Sequence, residues 1–461
     1  MSIQKEINMK VYANQVLCGQ QWLSNCCVTF VDGIITGIEE NAAASDADHN
    51  VDVLLPALAN LHSHSFQRAM AGMTEVRAAG KDSFWTWRDL MYRFLDHLTP
   101  DHVEAIAALV FMEMQEAGYA AVGEFHYVHH QTGGRPYDQL AELSNRIYAA
   151  AHQTGIGLTH LPVLYSYGGV DQQPLAGGQL RFGNDVTRYL DLVEACKTNL
   201  THLPPDARVG IAPHSLRATS PGDLTQVLKA TPNGPVHIHI AEQQKEVADV
   251  TAKLGQRPVA WLLDNAEVNE RWCLIHATHM TDSETIAMAE SGAVAGLCPI
   301  TEANLGDGPF NGPVFLEHGG RFGVGSDSNV RIALGEEMRS LEYSQRLRDM
   351  ARNVMITGEG SVGTSLYLNA ARGGAQALDR QAGTIALGQL ADLVAIDSNH
   401  PTLCALQGDQ LLDGLCFAAP EGIVTDTWSA GRHMVQAGRH VDREAILRRY
   451  RATIADLLQR I

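Results

Sequence analysis

Eight short runs of β-forming residues, separated by helical stretches along the middle of the chain, constrain the fold more than any other feature of this sequence. The runs are LPALANLHSH, YAAVGEF, GIGLTHLPVL, RVGIAPHS, PVHIHIAE, RWCLIHATH, AVAGLCPIT and RFGVGSDS. Between them, stretches such as HVEAIAALVFMEMQEAG and VTRYLDLVEACKTNL carry apolar residues at helical spacing. Such alternation gives parallel strands joined by crossover helices, and eight alternations point to a closed α/β barrel of the (β/α)8, TIM-like type rather than an open sheet.

The chain has 461 residues, more than one such barrel needs, and its two ends read differently. Residues 1–55 are short strands with turns, including a tight hairpin at Asp32-Gly33. From Gly383, GTIALGQLADLVAIDSN reads as strand, glycine turn, strand. VTDTWSAGRHMVQAGRHV follows, with turns at Gly431 and Gly438, and REAILRRYRATIADLLQRI closes the chain as a helix. Neither end alone has enough strands to bury a face. Residues 1–55 and 383–461 are therefore expected to form one small composite β domain beside a catalytic barrel spanning 56–382.

Composition narrows the partners. A formal net charge of −18 argues against nucleic acid and anionic membrane surfaces, both of which require clustered Lys and Arg. No run of about 18 apolar residues occurs, and the amino terminus lacks an apolar segment followed by a small-residue cleavage site, so a cytoplasmic enzyme is expected. The 8 cysteines include no C-x-x-C pair and read as reduced, mostly buried thiols. The oligomeric state is open, with a homodimer among the options. An anionic substrate would need its own local cations against this overall charge.

Ligand-type side chains recur at the carboxyl ends of the runs, where barrel enzymes place their chemistry. His62 and His64 end the first run; alternate residues of a strand project to the same side about 6.5 Å apart and can reach one ion. In the fifth run His239 is the better ligand candidate, with Glu242 three residues on at the barrel mouth, while His237 lies one pleat deeper and reads as structural. His276 ends the sixth run as either a ligand or a base. Asp327 ends the eighth, flanked by Ser326 and Ser328. Each has a bland reading, a satisfied barrel histidine or a helix-capping aspartate, but a closed barrel makes them converge. Imidazoles and a carboxylate around an open position form a hydrolytic metal site.

This pattern resembles the amidohydrolase superfamily over nearly the whole chain, including the late segment around Ala391-Asp392-Leu393. Two-metal members of that superfamily carry a carboxylated lysine on the fourth strand. The fourth run here, Arg208 to Ser215, has no lysine, so a mononuclear site is expected. Within the superfamily NLHSHSFQRAMAGMTE, APHSLRA, HIHIAEQ and VGSDSNVRI look like the formimidoylglutamate deiminases of histidine degradation. That resemblance implies one divalent ion per chain held by His62, His64, His239 and Asp327. Zinc is the ion implied, although iron or manganese would tolerate the same ligands. It implies Glu242 and His276, with Asp327, as the acid/base residues.

The implied substrate is a small dicarboxylate, N-formimino-L-glutamate, hydrolysed to N-formyl-L-glutamate and ammonia. Guanidinium groups hold carboxylates well. Arg217, just beyond the fourth run, and Arg88, in the loop-like stretch SFWTWRDL, are the candidates, with Gln67, Tyr127 and His214 as further pocket residues. Arg68 reads as a surface residue. Water activated at the metal would attack the formimino carbon with help from Asp327 and His276, and Glu242 would protonate the departing nitrogen. Two alternatives remain. A related deaminase or chlorohydrolase of purine, pyrimidine or triazine rings would use the same metal site with more apolar and aromatic walls. A non-enzymatic metal-binding protein would leave Glu242 without a task.

Overall fold

The computed structural model describes residues 8–75 and 84–460, and of 84–89 the backbone alone. All eight runs form strands. In chain order the strands are β1 (Asn8–Cys18), β2 (Gln21–Val31), β3 (Ile34–Glu39), β4 (His49–Pro56), β5 (Leu58–Ser63), β6 (Tyr119–His126), β7 (Gly157–Leu164), β8 (Arg208–Val209), β9 (Ala212–Pro213), β10 (Val236–Ile240), β11 (Trp272–His276), β12 (Val294–Leu297), β13 (Arg321–Val324), β14 (Leu393–Ile396), β15 (Val424–Ser429), β16 (Arg432–Gln436) and β17 (Arg439–His440).

Two parallel sheets, β5-β6-β7-β8 and β10-β11-β12-β13, make the two halves of the barrel. The fourth barrel strand is split into β8 and β9 around Gly210, and Ile211 bridges to Val236, joining the halves on one side. On the other side the seam runs through Ser63 and Asp327. There the Asp327 amide donates to the His62 carbonyl at 2.9 Å and the His64 amide to the Asp327 carbonyl at 2.9 Å. Closure of the barrel thus fixes the backbones of three predicted metal ligands against one another. Gly325 permits this approach, since a Cβ there would lie 2.7 Å from the His62 carbonyl oxygen.

Small and apolar side chains, among them Ala59, Leu61, Ala121, Cys273, Ile275 and Val294, fill the barrel below the site. His237 lies among these strands, one of its ring nitrogens 2.7 Å from the Ala377 carbonyl, in the structural role its depth suggests. Both chain ends enter one sheet of order β17-β16-β15-β14-β4-β1-β2-β3. Its apolar face packs Val11, Val28, Phe30, Leu54, Leu393 and Trp428. The Asp32-Gly33 hairpin forms with both residues at positive φ, 46° and 83°, the twist-matching turn that glycine favours.

Two local expectations are corrected. Of the two strands expected in GTIALGQLADLVAIDSN, only β14 forms; the segment before it is irregular, with Ile35 donating to the Gln389 carbonyl at 2.8 Å and Leu390 making a single bridge to Ile34. Where a loop is expected at SFWTWRDL, the described part, from Phe84 on, is helical, within Phe84–Leu95. Its aromatics repeat at helical spacing, a period masked by their weak helix propensity. No described helix is long and apolar enough to cross a membrane. The cysteines carry no disulfide, and all but Cys18 and Cys404 are buried.

A buried ion-pair network ties the composite sheet to the foot of the barrel. Arg380 donates to Asp206 at 2.9 Å and to Asp392 at 2.6 Å, and Arg432 of β16 donates to both oxygens of Asp206 at 2.8 Å. Asp392 belongs to the Ala391-Asp392-Leu393 segment and also accepts the Ala430 amide at 2.7 Å.

Candidate active site

The carboxyl ends of the barrel strands converge on one buried cluster. Ligand atoms of His62, His64 and His239 lie within 4.8 Å of one another, as do those of His62, His276 and Asp327. Asp327 Oδ1 is 3.4 Å from His62 Nε2 and 3.3 Å from His64 Nε2, and His239 Nε2 faces His62 Nε2 at 3.1 Å. His64 Nδ1 donates to the Phe125 carbonyl at 2.9 Å and His239 Nδ1 to the His214 carbonyl at 3.2 Å. These outer bonds set the tautomers of His64 and His239, whose Nε2 lone pairs point into the cluster, whereas His62 Nδ1 has no hydrogen-bond partner. Two inward imidazole lone pairs beside a buried carboxylate and a third imidazole are a set of donors that a cation would satisfy together. The donor set of three imidazole nitrogens and one carboxylate therefore fits a small divalent ion.

Electrostatics agree. Burial pushes His62 down to about 3 and lowers His64 and His239 as well, keeping all three rings neutral, the form that ligates. Burial disfavours ionised Asp327, but the rings of His62, His64 and His276 outweigh it and hold the carboxyl well below its usual range.

The residues expected to handle protons, His276 and Glu242, sit on the pocket side of this cluster. His276 Nε2 lies 4.0 Å from Glu242 Oε1 and 3.9 Å from Asp327 Oδ2. Burial alone would lower His276, but the charge of Glu242, the hydrogen bond to Glu302 and the charge of Asp327 raise it to about 10. Burial raises Glu242, against the opposing pull of His276 and Arg217. Arg217 Nη2 donates to Glu242 Oε2 at 3.3 Å, and its Nε is 3.8 Å from Glu246.

Backbone strain marks the same place. Ala241, His276, Ala277, Asp327 and Asn329 take left-handed φ between 47° and 68°, five of fourteen such non-glycine residues among those described. Left-handed backbone is costly without glycine and clusters at functional sites.

The pocket above the cluster contains the predicted residues Gln67, Tyr127, His214 and Arg217 together with His64, His239, Glu242, His276 and Asp327. Gln67 Nε2 donates to the Tyr127 hydroxyl at 2.7 Å. Arg88 lies on the helix Phe84–Leu95, and its side chain is outside the described residues. Arg68 is half-buried: it binds Glu113 at 2.9 Å and the carbonyls of Asn329 and Val330, a structural arginine rather than a surface one.

Other pocket residues escaped the sequence reading. Tyr92, Tyr165 and Phe182 form aromatic walls without a motif to announce them. Glu246 and Glu302 stand behind Arg217 and His276. Glu302 follows the seventh run by one residue, so the strand-end rule that found the others could have found it.

The chain matches the amidohydrolase family over residues 53–434. It is 48% identical over 451 residues to a formimidoylglutamate deiminase of Pseudomonas aeruginosa, covering 97% of this chain and 99% of that protein. A 5-methylthioadenosine/S-adenosylhomocysteine deaminase of Nitratidesulfovibrio vulgaris is 28% identical, over 84% of this chain and 80% of its own. Among solved structures, an amidohydrolase from Brucella melitensis superposes with a TM-score of 0.94 at 46% identity, covering 98% of this chain and all of its own. A zinc-bound adenosine deaminase from Xanthomonas campestris shares the fold, with a TM-score of 0.82 at 22% identity and 98% of each chain covered. With the profile spanning most of the chain and close relatives spanning nearly all of it, this protein belongs to the amidohydrolase family.

Proposed function

We propose that this chain hydrolyses N-formimino-L-glutamate to N-formyl-L-glutamate and ammonia, in the cytoplasm, with chemistry confined to the barrel of residues 56–382 and the composite domain, 1–55 and 383–461, as its scaffold. The observation that carries this reading is Arg217. A guanidinium buried in the pocket wall, in contact with the acid/base residue Glu242, suits a substrate that brings its own carboxylate. The near full-length similarity to a protein named formimidoylglutamate deiminase supports it.

His62, His64, His239 and Asp327 would hold a single divalent ion, which we assign as zinc. When bound, that ion supplies Lewis-acid chemistry that makes water a usable nucleophile near neutral pH. The chain's own groups do the rest. Asp327, kept ionised, accepts the proton of the attacking water, and His276, held protonated between Asp327 and Glu242, passes its own Nε2 proton to Glu242 and takes that one in exchange. Glu242 Oε1 then delivers a proton to the departing nitrogen, which is required because an amide anion is too poor a leaving group to depart unprotonated. Arg217 takes one substrate carboxylate, and Arg88 is assigned the other. Gln67, Tyr127 and His214 bind the remaining polar atoms.

The aromatic walls, Tyr92, Tyr127, Tyr165 and Phe182, favour a second reading, deamination of a flat ring. Ammonia release measured in parallel with N-formimino-L-glutamate, adenosine and guanine separates the two. Turnover of the linear amidine alone is expected; preference for a ring would overturn the first reading.

A further inference from the structure

We propose that Glu302 is a positioning residue that fixes His276 in its working tautomer and orientation, a role that rests on the deiminase reading above. Glu302 lies on the helix Pro299–Leu305, which follows β12. Its Oε1 accepts the Cys298 amide at 2.9 Å and His276 Nδ1 at 3.2 Å. The first bond closes a turn with the Glu302 amide, which donates back to the Cys298 carbonyl at 2.8 Å. The carboxylate is thereby held in place by its own helix start, independently of His276.

The consequence for His276 follows from what a carboxylate does. It only accepts, so Nδ1 must carry the hydrogen, and Nε2 becomes the nitrogen that exchanges protons with Asp327 and Glu242. Once His276 has given up its Nε2 proton, a ring without this bond would divide between two tautomers, one of which keeps a hydrogen on Nε2 and blocks acceptance there. Orientation is fixed from both sides, because the His276 backbone is itself held at a φ of 68°. Glu302 lies outside the substrate pocket and lines a separate surface groove with Pro309, Phe310 and Leu347. Its direct contact with the proton-handling groups is His276, through which it would act as the carboxylate of a serine-protease triad acts through its histidine. Thr301 and Leu305 of its own helix line the pocket, and an effect passing through them would persist without His276.

Both donors converge on one oxygen, which makes the test sharp. Glu302→Gln can keep an amide oxygen there while losing the charge, whereas Glu302→Leu removes the acceptor. Ammonia release from N-formimino-L-glutamate, with metal content, is measured for both variants, in wild-type and His276→Ala backgrounds. Glu302→Gln, which keeps an acceptor but loses the charge, is expected to lower kcat by about threefold to tenfold, and Glu302→Leu by about a hundredfold or more. KM should stay within about threefold of wild type, and metal at one ion per chain. In the His276→Ala background neither change should cost anything further, since residues acting as one unit are non-additive.

Wild-type kcat in metal-replete Glu302→Leu, a loss expressed in KM, or equal losses in both backgrounds would overturn the proposal. Should Glu302→Leu fail to fold, the Glu302→Gln cycle decides alone: a loss seen only when His276 is present supports the proposal, and no loss, or one that persists without His276, overturns it. A wild-type enzyme inactive on this compound would instead overturn the deiminase reading, a separate outcome.

Discussion

The guanidinium of Arg217 and the carboxylate of Glu242 meet at 3.3 Å inside the pocket, with side chains only 14% and 6% exposed. On the proposed assignment, the group that binds an anionic substrate thus touches the group that moves its protons. Replacing Arg217 with Ala should raise KM for N-formimino-L-glutamate about a hundredfold, the equivalent of roughly 3 kcal/mol for a charge-assisted pair. Arg217→Lys should recover little, because an ammonium lacks the fork that spans a carboxylate. Steady-state kinetics of the two variants check this, and an unchanged KM in Arg217→Ala would remove Arg217 from substrate binding.

Glu242 stands outside the cluster of ligand atoms, so its loss should separate chemistry from metal binding. Glu242→Gln is expected to lower kcat about a thousandfold, within the range for a general acid/base, while metal content stays at that of wild type. Ammonia release and metal analysis on the same preparation make the comparison; near-normal turnover would refute the assigned role.

The four-ligand set predicts about one equivalent of divalent metal per chain. Asp327→Ala and His239→Ala should each be purified with less metal, and chelation of the wild type should abolish activity that added zinc restores. Elemental analysis showing two ions per chain would contradict the mononuclear site.

At the foot of the barrel, Arg380 pairs with Asp206 and Asp392 almost out of contact with solvent. Removing one partner of such a network leaves unpaired buried charge, so Arg380→Ala should destabilise by about 3–5 kcal/mol. Burial opposes the ionised form of Asp206, but Arg432 and Arg380 overcome it and lower its carboxyl to about 2. Because this folded-state value is depressed, the stability it confers is present above the unfolded-state pKa near 4 and is lost as pH falls through about 2. Asp206→Asn should therefore be less stable than wild type at pH 7, with the gap narrowing on acidification. Denaturant unfolding across pH measures it, and a gap independent of pH would show that ionisation is not its source.

The barrel was legible because eight alternations of strand and helix admit few other arrangements, and the convergence of the candidate metal ligands because they end strands, which a closed barrel brings together. Two features limited the rest. The helix Phe84–Leu95 is rich in aromatics, and its propensity gives a weaker signal than its packing. Glu246, behind the site, is an ordinary helix glutamate in sequence; only the folded backbone brings it against Arg217, and single glutamates on helices are otherwise solvated. Glu302 directly follows the seventh run, a strand-end signal weakened by its place on the helix Pro299–Leu305. Asp392, by contrast, was found through a recognisable segment, and the structure supplies its physical reason, the bond to Arg380.

Product identity tests the proposed reaction most directly. With metal-replete enzyme and N-formimino-L-glutamate, mass spectrometry and ammonia determination should give N-formyl-L-glutamate and ammonia in equal amounts. Glutamate with formamide would mean that the other C–N bond is cut, and no consumption of this compound would mean that the pocket serves a different substrate; either result contradicts deimination.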